Sequence, residues 1–224
     1  MVSGLVGSEA GLRHKGNAGI FFCLLFGLLI SHGEVSAGDA VARISAVKGD
    51  VKRKTPGDEK GVSCRAGETI SVGDLLSTGP GSGVQLVMTD DSVIDLSSST
   101  RLRVNQYSFD SSKERRTANI KVLEGMARFI VYKELRESRF MVETEAAQTS
   151  FSSSDLVVRT ALDSTTIAVL HGSAVVRNAL KFIIGDVNLS DNQVTVVKSK
   201  TPPSQPSIIT AQQRRILLKD AKNF

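Results

Sequence analysis

Residues 71–96 read SVGDLLSTGPGSGVQLVMTDDSVIDL. The glycine- and serine-rich run Ser77–Gly83 lies between two apolar stretches, and two structures compete for it. A phosphate-cradling loop needs the pattern GxxxxGK[ST], with a lysine to reach the phosphates and a helix whose N-terminus faces them. Here Gly79-Pro80-Gly81-Ser82-Gly83 runs into Val84-Gln85-Leu86-Val87-Met88, and no lysine occurs between residues 61 and 112. Val84, Leu86 and Met88 share one face while Gln85 points the other way, which is the two-residue period of a strand. Ser77–Gly83 is therefore read as a flexible hairpin corner, and neither a nucleotide loop nor a dinucleotide fingerprint fits.

The same period continues along the chain. Ile94 and Leu96 alternate with Asp95, and Leu102 and Val104 with Arg101 and Arg103. Ala127, Phe129 and Val131 follow, then Phe140 and Val142, Ile167 and Val169, Val187 and Leu189, and Val194 and Val196. Turn chemistry separates these runs: Gly-Asp recurs in Lys48–Val51, Val72–Leu75 and Ile184–Val187, and Asp90–Ser92, Glu124-Gly125 and His171–Ser173 mark further reversals. Glycine supplies positive φ there, and Asp hydrogen-bonds its own backbone. The predicted class is all-β, with many short strands forming a two-sheet roll, solenoid-like or sandwich domain and a short C-terminal helix or tail. Val84, Leu86, Phe129, Val131, Val142, Ile167 and Val169 are the predicted core. After Lys200, Pro202, Pro203 and Pro206 cannot join a central ladder, so 200–224 reads as a Pro-rich linker followed by a short helix within Ile209–Ala221.

The N-terminus reads differently. Arg13, His14 and Lys15 precede an apolar run, Ala18–Ile30, and Val35 and Ala37 stand at small-residue positions before a cleavage site. This tripartite pattern is that of a secretory signal peptide over residues 1–37. The apolar run is well short of the roughly 20 residues that span a bilayer comfortably. The expected location is periplasmic or secreted, the alternative being an uncleaved signal-anchor in the inner membrane facing the periplasm.

The leader carries Arg13 and Lys15 against Glu9 and Glu34, so the rest of the chain keeps the net charge of +5. Basic clusters at Lys52–Lys54, at Lys113, Arg115 and Arg116, and at Arg214-Arg215 are short, interrupted by acids and free of the aromatics that stack on bases. They read as solvated strand ends and hairpin tips, and a nucleic-acid partner is not expected.

Beyond the leader one histidine, His171, and one cysteine, Cys64, remain. A lone histidine cannot assemble a multi-histidine zinc site, and a lone cysteine forms no internal disulfide; Cys64 reads as a buried, unreactive thiol. Nothing local supports a Cys64–His171 nucleophile and base. Ser45 and Lys48 spell SxxK, but within a strand pattern. Asp90, Asp91 and Asp95 lie close together, in a segment too regular to wrap calcium; they read as a turn and an outward-facing acid. No catalytic, cofactor-binding or metal-ligating residue is expected, and no cofactor. The chain is not expected to be an enzyme.

The order of turns and strands resembles the FecR domain family. That family's pattern of a Gly-[DE] turn, a glycine-rich corner and a "Dgs" turn is followed by Ala66–Val104, and later pieces by VLEGMARFIV, SRFMVETEAA and Thr165–Val176. The resemblance covers most of residues 41 to 198, giving a β domain over 38–199. It departs from the family at Phe151–Thr160, which lacks a glycine usual there, and only Met1–Asn17 precede the apolar run, too few for a cytoplasmic sigma-factor-binding segment. The resemblance implies a non-enzymatic exported module that binds another envelope protein, in sensing or signal transmission. The alternative is a cell-wall or polysaccharide-binding module, which the scarcity of aromatics disfavours.

Overall fold

The computed structural model describes residues 39–221. The leader expected over residues 1–37 lies outside the described residues. Each alternating stretch named above lies in a strand. The strands, in chain order, are β1 (Ala40–Lys48), β2 (Val51–Lys54), β3 (Val62–Ser63), β4 (Thr69–Ser71), β5 (Leu75–Thr78), β6 (Gly83–Met88), β7 (Val93–Leu96), β8 (Arg101–Asp110) and β9 (Arg115–Glu124). There follow β10 (Met126–Val131), β11 (Glu137–Glu143), β12 (Ala147–Phe151), β13 (Ser154–Thr160), β14 (Ser164–Gly172), β15 (Ala174–Asn178), β16 (Asp186–Leu189), β17 (Gln193–Lys198) and β18 (Ser207–Ile208), and a helix, α1 (Ala211–Ala221).

The strands form two nine-stranded sheets, ordered β18-β17-β14-β13-β10-β7-β6-β1-β4 and β16-β15-β12-β11-β9-β8-β5-β2-β3. From β5 on, the chain lays one or two strands in one sheet, crosses to the other, and so advances from the β3/β4 edges to the β16/β18 edges. The architecture is thus a two-layer sandwich built by a rolling path. Nearly all pairings are antiparallel, because the paired strands are either consecutive or have an even number of strands between them. β9 and β11 run parallel because β10 intervenes in the opposite sheet.

The inward faces make one apolar layer. Val84, Leu86, Phe129, Val131, Ile167 and Val169 are fully buried and Val142 nearly so, as the alternation predicts. Each such side chain contributes about 1.5–3 kcal/mol by leaving water. At the centre, Phe140 of β11 stacks on Phe151 with ring centroids 4.9 Å apart, and meets Phe129 of the opposite sheet edge-on at 6.1 Å.

β17 is a strand, as its alternation predicts, but the period does not say which of its faces is inward. Thr195 and Val197 face the core, whereas Val194 is half-buried and Val196 is exposed. A strand reading Val-Thr-Val-Val carries apolar residues on both faces, so alternation alone does not orient it. The second apolar environment on the outer side is supplied by α1. Ile209, Leu217 and Ala221 pack there on Met126, Val157, Ala168 and Leu170 of β10, β13 and β14, with Val194 alongside.

The helix begins with a capping box. Thr210 Oγ1 accepts from the Gln213 amide (3.2 Å), and Gln213 Oε1 accepts from the Thr210 amide (2.8 Å). The proline-containing segment before it lies along β17: the Ser204 amide donates to the Val196 carbonyl (2.9 Å), Thr195 Oγ1 donates to the Ser204 carbonyl (2.7 Å), and β18 pairs with β17. Among the described residues no helix is long and apolar enough to cross a membrane.

Candidate functional site

The corner at Ser77–Gly83 is not a hairpin, because β5 and β6 belong to different sheets. It carries the chain across the sandwich, and neighbouring corners consume its polar groups. The Gly79 amide donates to the Asp50 carbonyl (2.8 Å), the Gly81 amide to Ser98 Oγ (2.8 Å) and the Ser82 amide to the Gly79 carbonyl (3.1 Å). Ser82 Oγ accepts from the Asp50 amide at 2.9 Å. Gly49, at φ 74°, lies so close that a Cβ there would stand 2.4 Å from Ser82 Oγ. With these amides engaged internally, the corner offers no cradle for a phosphate.

The three carboxylates of the β6–β7 segment point three ways. Asp91 occupies the turn at φ 68° and is solvated, with its carboxylate 3.7 Å from Lys133. Asp95 does not face solvent: it is buried on the outer face of the first sheet, where it accepts from Gln85 Nε2 (2.9 Å). Asp90 is fully buried and is paired with Arg116. Arg116 is accordingly no solvated hairpin cation. Its guanidinium also donates to Ser138 Oγ (2.7 Å) and to the carbonyls of Ser152 (2.6 Å) and Lys133 (3.3 Å), and lies 5.7 Å from the centroid of Phe140. A buried charge needs a partner and hydrogen bonds, and both are met by closing the cluster of corners at one end of the sandwich.

Burial alone would raise the Asp90 carboxyl, but hydrogen bonds from Arg116 and Ser92 outweigh it and hold it below the ordinary carboxylate range. A second buried pair, Arg128 with Asp155 (2.8 and 2.7 Å), spans β10 and β13 on the outer face of the first sheet.

Cys64 and His171 do not meet. Cys64 follows β3 at one edge, while β14 lies five strands from β1 in the other sheet, about 24 Å at the usual spacing. His171 is exposed, with Nδ1 3.4 Å from Asp191. Ser45 sits at a bulge in β1 and donates to Gln85 Oε1 (2.8 Å), away from Lys48 chemistry. The Cys64 thiol is buried, and burial, reinforced by Glu68 and Asp74, pushes it up to about 11. Because the thiolate is the reactive form, Cys64 is expected to resist a disulfide reagent at about pH 8 in the folded protein. It should react fully once denatured, as absorbance of the released thiol would record.

The surface feature that periodicity did not reveal lies at the opposite end from Arg116. Here the β13–β14 turn, the β15–β16 loop and the end of β17 are tied together. The Ser199 amide donates to the Asp163 carbonyl (3.0 Å), and Asn178 Nδ2 donates to the carbonyls of Lys198 and Thr201 (both 2.8 Å). From this braced frame Leu162 is fully exposed, Phe182 is 75% exposed and Ile184 is 87% exposed, with Leu180 beside them. The loop adjoins β16, which among the described residues has no neighbour on its far side in the sheet. Large apolar side chains held out on a fixed frame at a free sheet edge have the form of a protein-docking site. In the sequence, Leu180–Ile184 looked like the approach to another Gly-Asp turn, with no alternation to flag it.

Residues 74–175 match the family model described as FecR protein. Over that segment the chain is similar to the FecR family. Its matched segment begins at Asp74, whose Oδ2 accepts from the Ser71 amide (2.9 Å) in the turn before β5, and ends within β15. The matched segment includes Arg116, Asp90 and Leu162, while Phe182 and Ile184 lie beyond it.

Two crystal structures of proposed anti-sigma factors from Parabacteroides distasonis have the same fold, with TM-scores of 0.51 and 0.50 at 20% and 19% identity. Each comparison covers 64% of this chain, and the chain spans 63% and 64% of the length of those proteins. No curated protein matches the chain.

Proposed function

We propose that this chain is a non-catalytic, exported FecR-domain protein that binds another envelope protein and takes part in sensing or signal transmission. The observation that carries the reading is the apolar end formed by Leu162, Phe182 and Ile184 beside the free edge of β16. The FecR match and the fold shared with proteins described as anti-sigma factors support a signalling role. A glycan-binding reading is weaker. The exposed aromatics among the described residues, Tyr132 and Phe182, stand at opposite ends of the sandwich and cannot form one stacking platform.

A photo-crosslinking residue placed at 182 or 184 in intact cells is expected to capture a discrete envelope protein, and one at exposed Lys113 is not. Phe182→Ser should weaken the purified complex by about 2 kcal/mol or more, as for an aromatic anchor, without changing the melting temperature. Capture of glycan alone, or equal capture from position 113, would refute the reading.

A further inference from the structure

The outer face of the second sheet gathers cations toward its β3 edge. Lys52 and Lys54 project from β2, Arg101 and Arg103 from β8 and Lys121 from β9, alternating with the core residues Val51, Leu102, Val104, Ile120 and Val122. Register sets them in two rows. Lys54, Leu75, Arg103 and Lys121 are successive cross-strand partners, as are Lys52, Ser77 and Arg101. Arg103 faces Lys121 directly, an arrangement that destabilises an antiparallel pair and has no folding rationale.

The surrounding acids leave this face under-neutralised. Asp50 lies 3.8 Å from Lys52, Glu124 is opposite Arg101, and Glu143 is opposite Lys121. Among the described residues no ion pair engages Arg101, Arg103 or Lys121, while the Lys54 ammonium donates to the Glu59 carbonyl at the rim of the face. A cleft of about 410 Å³ opens in the same face, lined by Lys54, Pro56, Asp58, Gly73, Leu75 and Arg103.

We propose that this face docks an extended acidic segment of a partner protein. Residues two apart on a strand lie about 6.8 Å from each other, and adjacent strands about 4.8 Å apart. Alternate carboxylates of an extended chain have that same 6.8 Å repeat, again an approximate spacing. A segment lying along β8 therefore offers one carboxylate to Arg101 and the next to Arg103. Lys52 and Lys54 flank it on one side and Lys121 on the other. The cationic rows hold no aromatic side chain on which a nucleic acid would stack. Asp58 lines the cleft beside them, so a broad anionic bilayer would have to cover an acid that a single extended chain bypasses. The surface is separate from the apolar end and does not depend on that reading.

The test uses the full chain and a short fluorescent peptide of alternating Glu and Ser, titrated at low salt and followed by anisotropy. The peptide is expected to bind, to bind more weakly as salt screens the charges, and to lose affinity when Gln replaces Glu. Joining Arg103→Glu to Lys121→Glu should raise Kd at least about tenfold, and Arg103→Gln with Lys121→Gln should move it in the same direction if the reversed variant is insoluble. Arg177→Glu, on β15 far from the rows, should leave Kd unchanged. Undiminished binding by both double variants would overturn the proposal. So would binding to polyphosphate or to phosphatidylglycerol vesicles with none to the peptide, provided the binding is lost in the same variants.

Discussion

Asp90→Ala is expected to lower the unfolding free energy by about 3–5 kcal/mol, the usual cost of removing one member of a buried ion pair. The loss would come less from the vanished attraction than from what remains. Arg116 is 1% exposed, and without Asp90 its charge would stay in the core with Ser138, Ser92 and carbonyl oxygens as neutral partners. These groups come from the β6–β7 turn, β11 and the β12–β13 corner, so the whole end of the sandwich should loosen together.

The sign of the pH dependence follows from the depressed Asp90 carboxyl. A depressed carboxyl contributes stability that is fully present above its unfolded pKa of about 3.9 and is lost as pH falls through the lower folded value. Wild-type protein should therefore lose stability in strong acid by a component that Asp90→Asn lacks. Denaturant titrations at neutral and acidic pH measure both quantities. A change under about 1 kcal/mol for Asp90→Ala would contradict the role of the pair.

Phe140→Ala is expected to cost about 3–5 kcal/mol through lost burial and the cavity left behind. Phe140 is fully buried between the sheets, stacks on Phe151, meets Phe129 edge-on and faces the Arg116 guanidinium. Truncation thus removes two aromatic contacts and exposes one side of a buried cation. Phe140→Leu, which keeps most of the volume, should be markedly milder. Equal destabilisation by the two would place the cost in the aromatic contacts and not in the cavity. A double-mutant cycle with Asp90→Ala should be non-additive, because both substitutions act on the surroundings of Arg116.

How far the sequence could be read varies from element to element. Strands such as β6 and β10 were legible because Val84, Leu86 and Met88, or Ala127, Phe129 and Val131, alternate with residues of different character. β17 is legible as a strand but not in its orientation, because Val194 and Val196 are as apolar as Val197 and the helix packed outside covers the other face. The sequence reads Asp95 and Arg116 as solvated, each being a charged residue in a strand or next to a turn. Their burial depends on Gln85 in one case and Asp90 in the other.

By itself the sequence determined the all-β class, the strands β6, β7, β8, β10, β11, β14, β16 and β17, most of the turns and the FecR-like order. Side-chain period and turn chemistry are properties of neighbouring residues, so a single chain displays them. Tertiary structure alone decided that Ser77–Gly83 crosses between sheets, that Asp90 meets Arg116 across 26 residues and Ser152 meets Arg116 across 36, and that Leu162 joins Phe182 and Ile184 at one end. It also assembled Lys54, Arg103 and Lys121 into one row. These pairings join residues far apart in the chain. They follow from which strand edges find each other when the two apolar faces close, and no local pattern encodes that choice.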